Sequence, residues 1–200
     1  ADRVALMLSN DIEMVLLALA TNKLGAMWTP INAEYKGEWL LDNLLRCRYK
    51  VLVVDDALQN SVAAVQNKLG NEAIVLVGDI NQSTLNNPIG YESLRTSAAL
   101  TVRPSDIDYG DTCSILWTSG TTGKSKGVMQ SYNCWVRAIV YGASKQYNSR
   151  DGDVIYNTLP LYHSAAWITG IYRALLEGIP CVIEQKFSVT TFWDRISQFR

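Results

Sequence analysis

The segment VALMLSNDIEMVLLALATNKLGAMWTPI, residues 4–31, decides the fold of the chain. Its first five residues are apolar and are followed by Ser9-Asn10, which predicts a short strand. Asp11 can cap the helix that follows, in which apolar residues recur at helical spacing up to Gly25. Residues 26–31 are again mostly apolar and predict a second strand. The segment therefore predicts a strand, a helix and a strand in succession.

The same alternation continues as far as Val77. The predicted elements are, in order, a helix at Glu38–Arg48, a strand at Lys50–Val54, a helix at Asp56–Leu69 and a strand at Ala73–Val77. Strands separated by helices of ten or more residues need crossover connections, and these produce a parallel sheet with helices on its faces. We therefore expect an α/β fold with a largely parallel sheet and flanking helices.

Residues 79–111 are more polar, with turn signals at Asn86-Asn87-Pro88 and Arg103-Pro104-Ser105 and one short helix predicted around residues 92–98. A loop of this length is unusual inside a compact domain, so we interpret it as passage from one sheet layer to another. The expected organisation is a first α/β layer at 1–78, a connecting segment at 79–112 and a second part at 113–200.

The composition argues against several classes of protein. Apolar residues make up 48% of the 200 residues, which is enough for a substantial core. Eighteen basic and nineteen acidic residues nearly cancel, so nucleic acid is not an expected partner. The longest apolar run, Met14–Ala20, is far shorter than the roughly 20 residues that cross a bilayer, and no leader peptide opens the sequence. We expect a soluble, cytoplasmic protein, and the four scattered cysteines indicate neither zinc nor a redox pair.

The candidate functional stretch is TSGTTGKSKG, residues 118–127, which follows a predicted buried strand at Cys113–Trp117. It contains three glycines, five hydroxyl-bearing residues and two lysines. Glycines let backbone N–H groups approach an anion, hydroxyls donate to phosphate oxygens or bind magnesium, and lysines balance negative charge. These residue types in this order indicate a loop that holds a polyphosphate.

Other interpretations of residues 118–127 fit less well. A flexible surface turn can be rich in glycine and hydroxyls, but interleaved lysines and a preceding apolar strand are not typical of one. The usual P-loop needs a glycine where Thr118 stands, and the dinucleotide pattern G-x-G-x-x-G is absent. A nucleophile elbow at Ser119 would need a glycine in place of Trp117.

The stretch closely resembles the phosphate loop of the adenylate-forming superfamily, which includes acyl-CoA synthetases, luciferases and peptide-synthetase adenylation domains. Only Ser125 departs from the family pattern, because it stands where the family has proline. Without the proline the loop backbone is freer, so we expect a modest effect on loop order and no loss of binding. A weaker likeness of the opening segments to acyl-CoA synthetases extends the resemblance over essentially the whole chain.

The resemblance implies the ligands and the residues that hold them. It implies ATP and Mg²⁺, with coenzyme A as second substrate, and it assigns catalysis to Lys126 and metal contact to Thr121. The implied ATP-binding residues are Thr118, Ser119, Gly120, Thr121, Thr122, Gly123, Lys124, Ser125, Lys126 and Gly127.

A second match lies at Pro160-Leu161-Tyr162-His163, which resembles the family's Pro-Leu-aromatic-His segment beside the acyl pocket and the reacting carboxylate. A lone histidine is by itself more often a packed core residue. Together with the upstream stretch, the resemblance implies that Tyr162 and His163 bind the acid and that His163 has a positioning role in catalysis. Tyr132 stands where many members have histidine, so no family role is carried over to it.

The reaction that the resemblance implies is the joining of a carboxylic acid to AMP, with release of pyrophosphate, before transfer to coenzyme A. The family's Tyr-Gly-x-Thr-Glu segment, ribose-binding aspartate, hinge and catalytic lysine have no counterpart here, and Tyr141-Gly142 is interpreted as helix interior. We therefore expect a truncated N-terminal AMP-binding domain that lacks the C-terminal domain, is inactive alone and self-associates through uncovered surfaces, as in a homo-oligomer.

Three alternatives remain open from the sequence. The acceptor thiol could belong to a carrier protein, as in peptide synthetases. The same loop could serve a phosphotransferase that moves the γ-phosphate and releases ADP. The chain could also be a nucleotide-binding module without ligase activity.

Overall fold

The computed structural model describes residues 1–97, 107–118 and 125–199. The first part alternates strands and helices, as the sequence predicts. Its elements are β1 Arg3–Met7, α1 Ile12–Lys23, β2 Met27–Pro30, α2 Gly37–Cys47, β3 Val51–Asp55, α3 Gln59–Gln66 and β4 Ala73–Val77, followed by a 3₁₀ turn at Ile80–Gln82, β5 Ile89–Gly90 and α4 Tyr91–Arg95.

The second part contains shorter elements. They are β6 Thr112–Thr118, β7 Lys126–Ser131, α5 Tyr132–Arg137, a π-helical segment Ala138–Ala143, α6 Ser144–Gln146, β8 Ile155–Asn157, a second π-helical segment Ala166–Ile171, α7 Tyr172–Glu177, β9 Cys181–Ile183 and α8 Phe192–Gln198. Tyr141-Gly142 lies inside the first π-helical segment, so its interpretation as helix interior is confirmed. Phe192 of α8 and Phe199 just after it both pack on Tyr156.

Within the described residues the main sheet has seven strands in the order β5-β4-β3-β1-β2-β6-β7. All neighbouring pairs are parallel except β6 and β7, which form an antiparallel edge. The expected α/β fold with a largely parallel sheet is confirmed.

The position of β6 corrects one expectation. We expected residues 79–111 to carry the chain into another sheet layer, but β6 lies beside β2 in the same sheet, where Trp28 pairs with Ser114. The polar segment therefore connects one side of a single sheet to the other. The reason is that β1 and β2 already occupy the centre, which leaves the free edge of β2 for the next strand.

The core has two layers, one on each face of the sheet. Alternate residues of β1 point to opposite faces, so Leu6 packs with Met14 of α1 while Met7 packs with Leu40 of α2 and Val62 of α3. Both layers are fully apolar at these positions and exclude water. Because helices cover both faces of the sheet, the polar loops lie at the ends of the strands.

Three further findings bear on function. Among the described residues, no helix is long and apolar enough to cross a membrane. The same residues contain no group of three or more His, Cys, Asp or Glu side chains arranged to hold a metal ion. All four cysteines carry free thiols, and those of Cys47 and Cys113 are buried.

Candidate active site

The strands β6 and β7 hold the two ends of the 118–127 stretch side by side. In their antiparallel register Thr118 pairs with Lys126, and the Thr118 hydroxyl donates to the Lys126 carbonyl over 3.4 Å. The side chains of Thr118 and Lys126 are exposed at this end of the sheet. Six of the predicted ATP-binding residues lie outside the described residues, namely Ser119, Gly120, Thr121, Thr122, Gly123 and Lys124.

Gly127 packs closely against the other strand of the hairpin. A Cβ atom added there would lie 3.0 Å from Cγ2 of Ile115 and 3.5 Å from the ring of Trp117. A contact of 3.0 Å is shorter than van der Waals separation, so a larger residue would require Ile115 or β7 to shift by a few tenths of an ångström. The last glycine of the stretch therefore keeps Lys126 in register with Thr118.

Ser125 differs from its exposed neighbours because it is buried, with 7% of its surface exposed. Its hydroxyl is 2.9 Å from the hydroxyl of Tyr35, and its carbonyl accepts a hydrogen bond of 2.6 Å from Nη1 of Arg46. Tyr35 precedes α2 and Arg46 lies in its last turn. The carboxyl end of the stretch is thus bound to α2 through its backbone and to the segment before α2 through its side chain.

The Pro160-Leu161-Tyr162-His163 segment forms a turn, in which the His163 amide donates to the Pro160 carbonyl over 3.0 Å. Its position is set by Asn10, which is buried at the carboxyl end of β1. The Asn10 amide donates to the carbonyls of Leu159 and Glu184 over 2.9 and 3.0 Å, and its oxygen accepts from the Leu161 amide over 2.8 Å. One side chain therefore fastens this turn to the centre of the sheet.

The interior side of the same turn is equally well fixed. Leu161 is completely buried, and its carbonyl accepts a hydrogen bond of 2.7 Å from the indole of Trp167. Trp167 in turn packs against Trp28 of β2, with ring centroids 4.5 Å apart. Leu161 faces the core, which leaves the next two side chains, Tyr162 and His163, at the surface.

The rings of Tyr162 and His163 lie 4.6 Å apart, with Tyr162 half-buried and His163 exposed. Burial raises the pKa of the Tyr162 hydroxyl, and the nearby Glu34 and Tyr35 raise this pKa further. Tyr162 is therefore a neutral hydrogen-bonding group at physiological pH, in a position next to the loop that precedes α2.

A cavity of about 290 Å³ brings the two motifs together. The lining contains aromatic, aliphatic and neutral polar side chains, and no acidic residue is among the described residues that form it: Leu116, Trp117, Thr118, Val128, Gln130, Tyr162, His163 and Ser164. A larger cavity of about 430 Å³ at the amino end of β4 shares no residue with either motif. The smaller cavity is therefore the candidate active site, and its lack of carboxylates suits anionic ligands.

Comparison with known proteins identifies the family. The family model described as "AMP-binding enzyme" matches residues 1–200. The chain belongs to this family. The paired ends of β6 and β7, at Thr118 and Lys126, and the turn at His163 thus belong to the fold of an AMP-binding enzyme.

Curated relatives of the chain share about three residues in ten with it. A medium/long-chain-fatty-acid–CoA ligase, FadD6, of Mycobacterium tuberculosis is 29% identical over 98% of this chain and 32% of its own length. A crotonobetaine/carnitine–CoA ligase of Salmonella typhi is 31% identical over 100% of this chain and 39% of its own length. The chain spans about a third of the length of these curated relatives.

Solved structures of the AMP-binding fold superpose over the whole chain. The luciferase-like enzyme from the mealworm Zophobas morio has a TM-score of 0.83 at 17% identity, and covers 100% of this chain and 45% of the mealworm chain. The o-succinylbenzoate coenzyme A synthetase MenE from Bacillus subtilis, in complex with ATP and magnesium ion, has a TM-score of 0.74 at 22% identity, and covers 100% of this chain and 48% of the other. At these identities the likeness concerns the fold.

Sequence reasoning missed the residues that hold the two predicted motifs in place. Asn10 was interpreted only as the end of a strand, while Tyr35 and Arg46 were not singled out. Their partners lie far away in the sequence, and no local pattern marks them. Tyr132, which stands where many family members have histidine, donates to the carbonyl of Asn22 over 3.2 Å and therefore contacts the end of α1.

Proposed function

We propose that this chain carries the ATP-binding and acid-binding part of a ligase that adenylates a carboxylic acid and then transfers it to coenzyme A. One observation carries the proposal: Thr118, at the start of the phosphate stretch, shares a cavity with Tyr162 and His163 in a member of the AMP-binding family. Curated relatives are named as CoA ligases of fatty acids and of crotonobetaine or carnitine, which supports this reaction class.

We assign the triphosphate of ATP to the 118–127 stretch. The exposed Lys126 and the hydroxyl of Thr118 stand next to each other, and the cavity beside them has no carboxylate among its described lining residues. Cationic and hydroxyl donors around an anion fit the chemistry of a polyphosphate. Lys124 and the hydroxyls of Ser119, Thr121 and Thr122 complete the proposed set, with Thr121 as the residue that would contact Mg²⁺. A bound Mg²⁺ would neutralise part of the phosphate charge.

In the proposed reaction, an oxygen of the substrate carboxylate attacks the α-phosphorus of ATP. A carboxyl O–P bond forms, the bond to the bridging oxygen breaks, and pyrophosphate leaves with both electrons of that bond. Donors that contact the departing oxygens stabilise the transition state more than the ground state, which is the role proposed for Lys126. The thiolate of coenzyme A then attacks the acyl carbon, and AMP leaves.

His163 and Tyr162 are the proposed binding residues for the acid. Both line the cavity, and His163 is exposed while its backbone is fixed by the turn. Such a fixed group can orient the carboxylate towards the α-phosphorus, which contributes to rate through positioning. The proposed role of His163 is therefore to place the acid.

The experiment that tests this function uses the full-length protein with ATP, Mg²⁺ and a panel of short, medium and long fatty acids together with crotonobetaine and carnitine. We expect acid-dependent exchange of labelled pyrophosphate into ATP, and AMP as the nucleotide product when coenzyme A is added. Chromatography that shows ADP would instead assign γ-phosphate transfer. Binding of ATP without exchange for any acid would assign a nucleotide-binding module. Loading of a carrier-protein thiol in preference to coenzyme A would assign a peptide-synthetase type of acceptor.

A further inference from the structure

Ser125 is bound by two residues outside the phosphate stretch, Tyr35 and Arg46. We propose that Tyr35 and Arg46 are positioning residues that hold the carboxyl end of the 118–127 stretch in place for ATP, an inference that rests on the proposed function of that stretch. We call the contact of Tyr35 and Arg46 with Ser125 the Ser125 clamp.

The Ser125 clamp uses every available polar group of the serine except its amide. The hydroxyl meets Tyr35 at 2.9 Å and the carbonyl meets the charged Arg46 at 2.6 Å. Hydrogen bonds from a charged donor are about twice as strong as neutral ones, and both contacts are partly buried. These two contacts distinguish Ser125 from a serine on a freely exposed loop.

Arg46 is itself held in position before it reaches Ser125. Its Nη1 atom lies 3.4 Å from a carboxylate oxygen of Asp42 one turn earlier on α2. Its guanidinium also lies 5.7 Å from the ring centre of Trp117, and the Trp117 indole donates to the hydroxyl of Thr29 over 3.0 Å. The donor is therefore oriented by the same strand, β6, that leads into the phosphate stretch.

The chemistry of position 125 explains why a clamp is needed. Ser125 stands where the resembling family has proline, and proline fixes φ near −65° without help from other residues. A serine leaves that dihedral free, so more conformational entropy at position 125 must be lost when ATP binds. Two hydrogen bonds, one with Tyr35 before α2 and one from Arg46 in α2, can replace this lost constraint.

Tyr35 also connects the Ser125 clamp to the acid side of the cavity. It is near enough to Tyr162 to raise the pKa of the Tyr162 hydroxyl, although burial of Tyr162 and the charge of Glu34 have larger effects. The segment before α2 therefore contacts Ser125 directly and contributes to the raised pKa of Tyr162. This placement suits a residue that positions substrates.

The test measures the affinity of the full-length protein for Mg-ATP by calorimetry and the Michaelis constants in the exchange assay. Arg46→Met keeps the aliphatic stem but removes the charged donor, so we expect the Kd for Mg-ATP to rise about tenfold. Tyr35→Phe removes one neutral hydrogen bond and should raise the Kd for Mg-ATP about threefold. For Arg46→Met we expect kcat at saturating ATP and the KM for the acid to stay within about twofold, because the loss concerns only ATP binding.

Arg95→Met is the matched control. Arg95 also lies over an aromatic ring, that of Tyr91 at 5.9 Å, and bonds Glu92 over 2.9 Å, but it lies on α4 at the other side of the sheet. This control should bind Mg-ATP as the wild type does. If Arg46→Met and Tyr35→Phe also keep wild-type affinity, the clamp proposal is overturned while exchange by the wild type still supports the ligase function.

A rescue variant separates positioning from general destabilisation. Adding Ser125→Pro to Arg46→Met restores the dihedral constraint by another route, so the double variant should recover most of the Mg-ATP affinity. If affinity is not recovered and the melting temperature of Arg46→Met falls in parallel, Arg46 has a structural role only. If the wild type binds Mg-ATP but never exchanges pyrophosphate, the ligase function fails, and the binding comparison still decides the clamp.

Discussion

The two halves of the candidate site reach one cavity by different means. Thr118 and Lys126 are exposed and are joined by strand pairing between residues close in sequence. The Tyr162-His163 turn is held by the buried Asn10, whose partners are 149 to 174 residues away. Substitutions in the exposed half should therefore affect catalysis more than folding, whereas loss of Asn10 should affect folding as well as the site.

The largest effect is expected for Lys126→Ala in the full-length protein. Because Lys126 is the proposed donor to the departing pyrophosphate, its loss should slow acid-dependent ATP–pyrophosphate exchange about 10²-fold or more. The free energy of unfolding should change little, since the side chain is exposed.

Lys68→Ala is the control for Lys126→Ala. Lys68 is also exposed and pairs with Glu38 over 2.8 Å, and neither residue lines the cavity. Its exchange rate should equal that of the wild type. Unchanged exchange in Lys126→Ala would remove this lysine from the mechanism.

The second largest effect is expected for Asn10→Ala, and it concerns stability. The substitution removes the partner of the partly buried carbonyls of Leu159 and Glu184 and of the buried Leu161 amide, and an unpaired buried group costs about 1–3 kcal/mol. Allowing for water that enters the space, we expect the free energy of unfolding to fall by about 2 kcal/mol, measured by urea denaturation.

Asn60→Ala provides the comparison for Asn10→Ala. Asn60 is exposed on α3 and accepts one hydrogen bond from Thr84, so its loss should change stability by less than about 0.5 kcal/mol. Equal urea midpoints for the two variants would show that Asn10 does not hold the turn.

His163→Ala should have a smaller effect that is confined to the acid. His163 is exposed, so stability should not change, but loss of its positioning role should lower kcat/KM for the acid about tenfold. The KM for ATP should stay the same, and Tyr141→Ala, another exposed aromatic residue outside the cavity, should have no effect. An equal loss of ATP and acid affinity would contradict a role specific to the acid.

The sequence predicted the parts of the molecule whose signals are local. The strands and helices up to Val77 were predicted from apolar runs and turn signals, but the buried face of α1 was not, because Ile12 and Leu16 are exposed while Met14 and Ala18 are buried. Strand β7 was missed because it is an exposed edge strand that pairs through its backbone and has no buried face to leave a pattern. Strands β8 and β9 have three residues each, too few for periodicity.

The supports of the site were not predictable for a related reason. Asn10, Tyr35 and Arg46 act through partners 79 to 174 residues away, so only the folded chain shows what they contact. The roles of Lys126, Tyr162 and His163 remain predictions, as do those of residues 119–124. A sequence motif predicts the residues that bind the substrate. The residues that support them are determined by tertiary packing and are visible only in the folded chain.

The smallest effect is expected for Gly127→Ala, which tests how tightly the exposed half is built. The new methyl group would meet Cγ2 of Ile115 at 3.0 Å, so β7 must shift by a few tenths of an ångström, and we expect a loss of about 0.5–1 kcal/mol in the free energy of unfolding. Gly110→Ala is the control, because an added Cβ there has no atom within 4 Å and the substitution should be neutral or slightly stabilising. If both variants unfold at the same urea concentration, the hairpin accommodates the added methyl group without loss of stability. Its register would then depend on the strand hydrogen bonds and the Ser125 clamp rather than on the fit of Gly127 against Ile115.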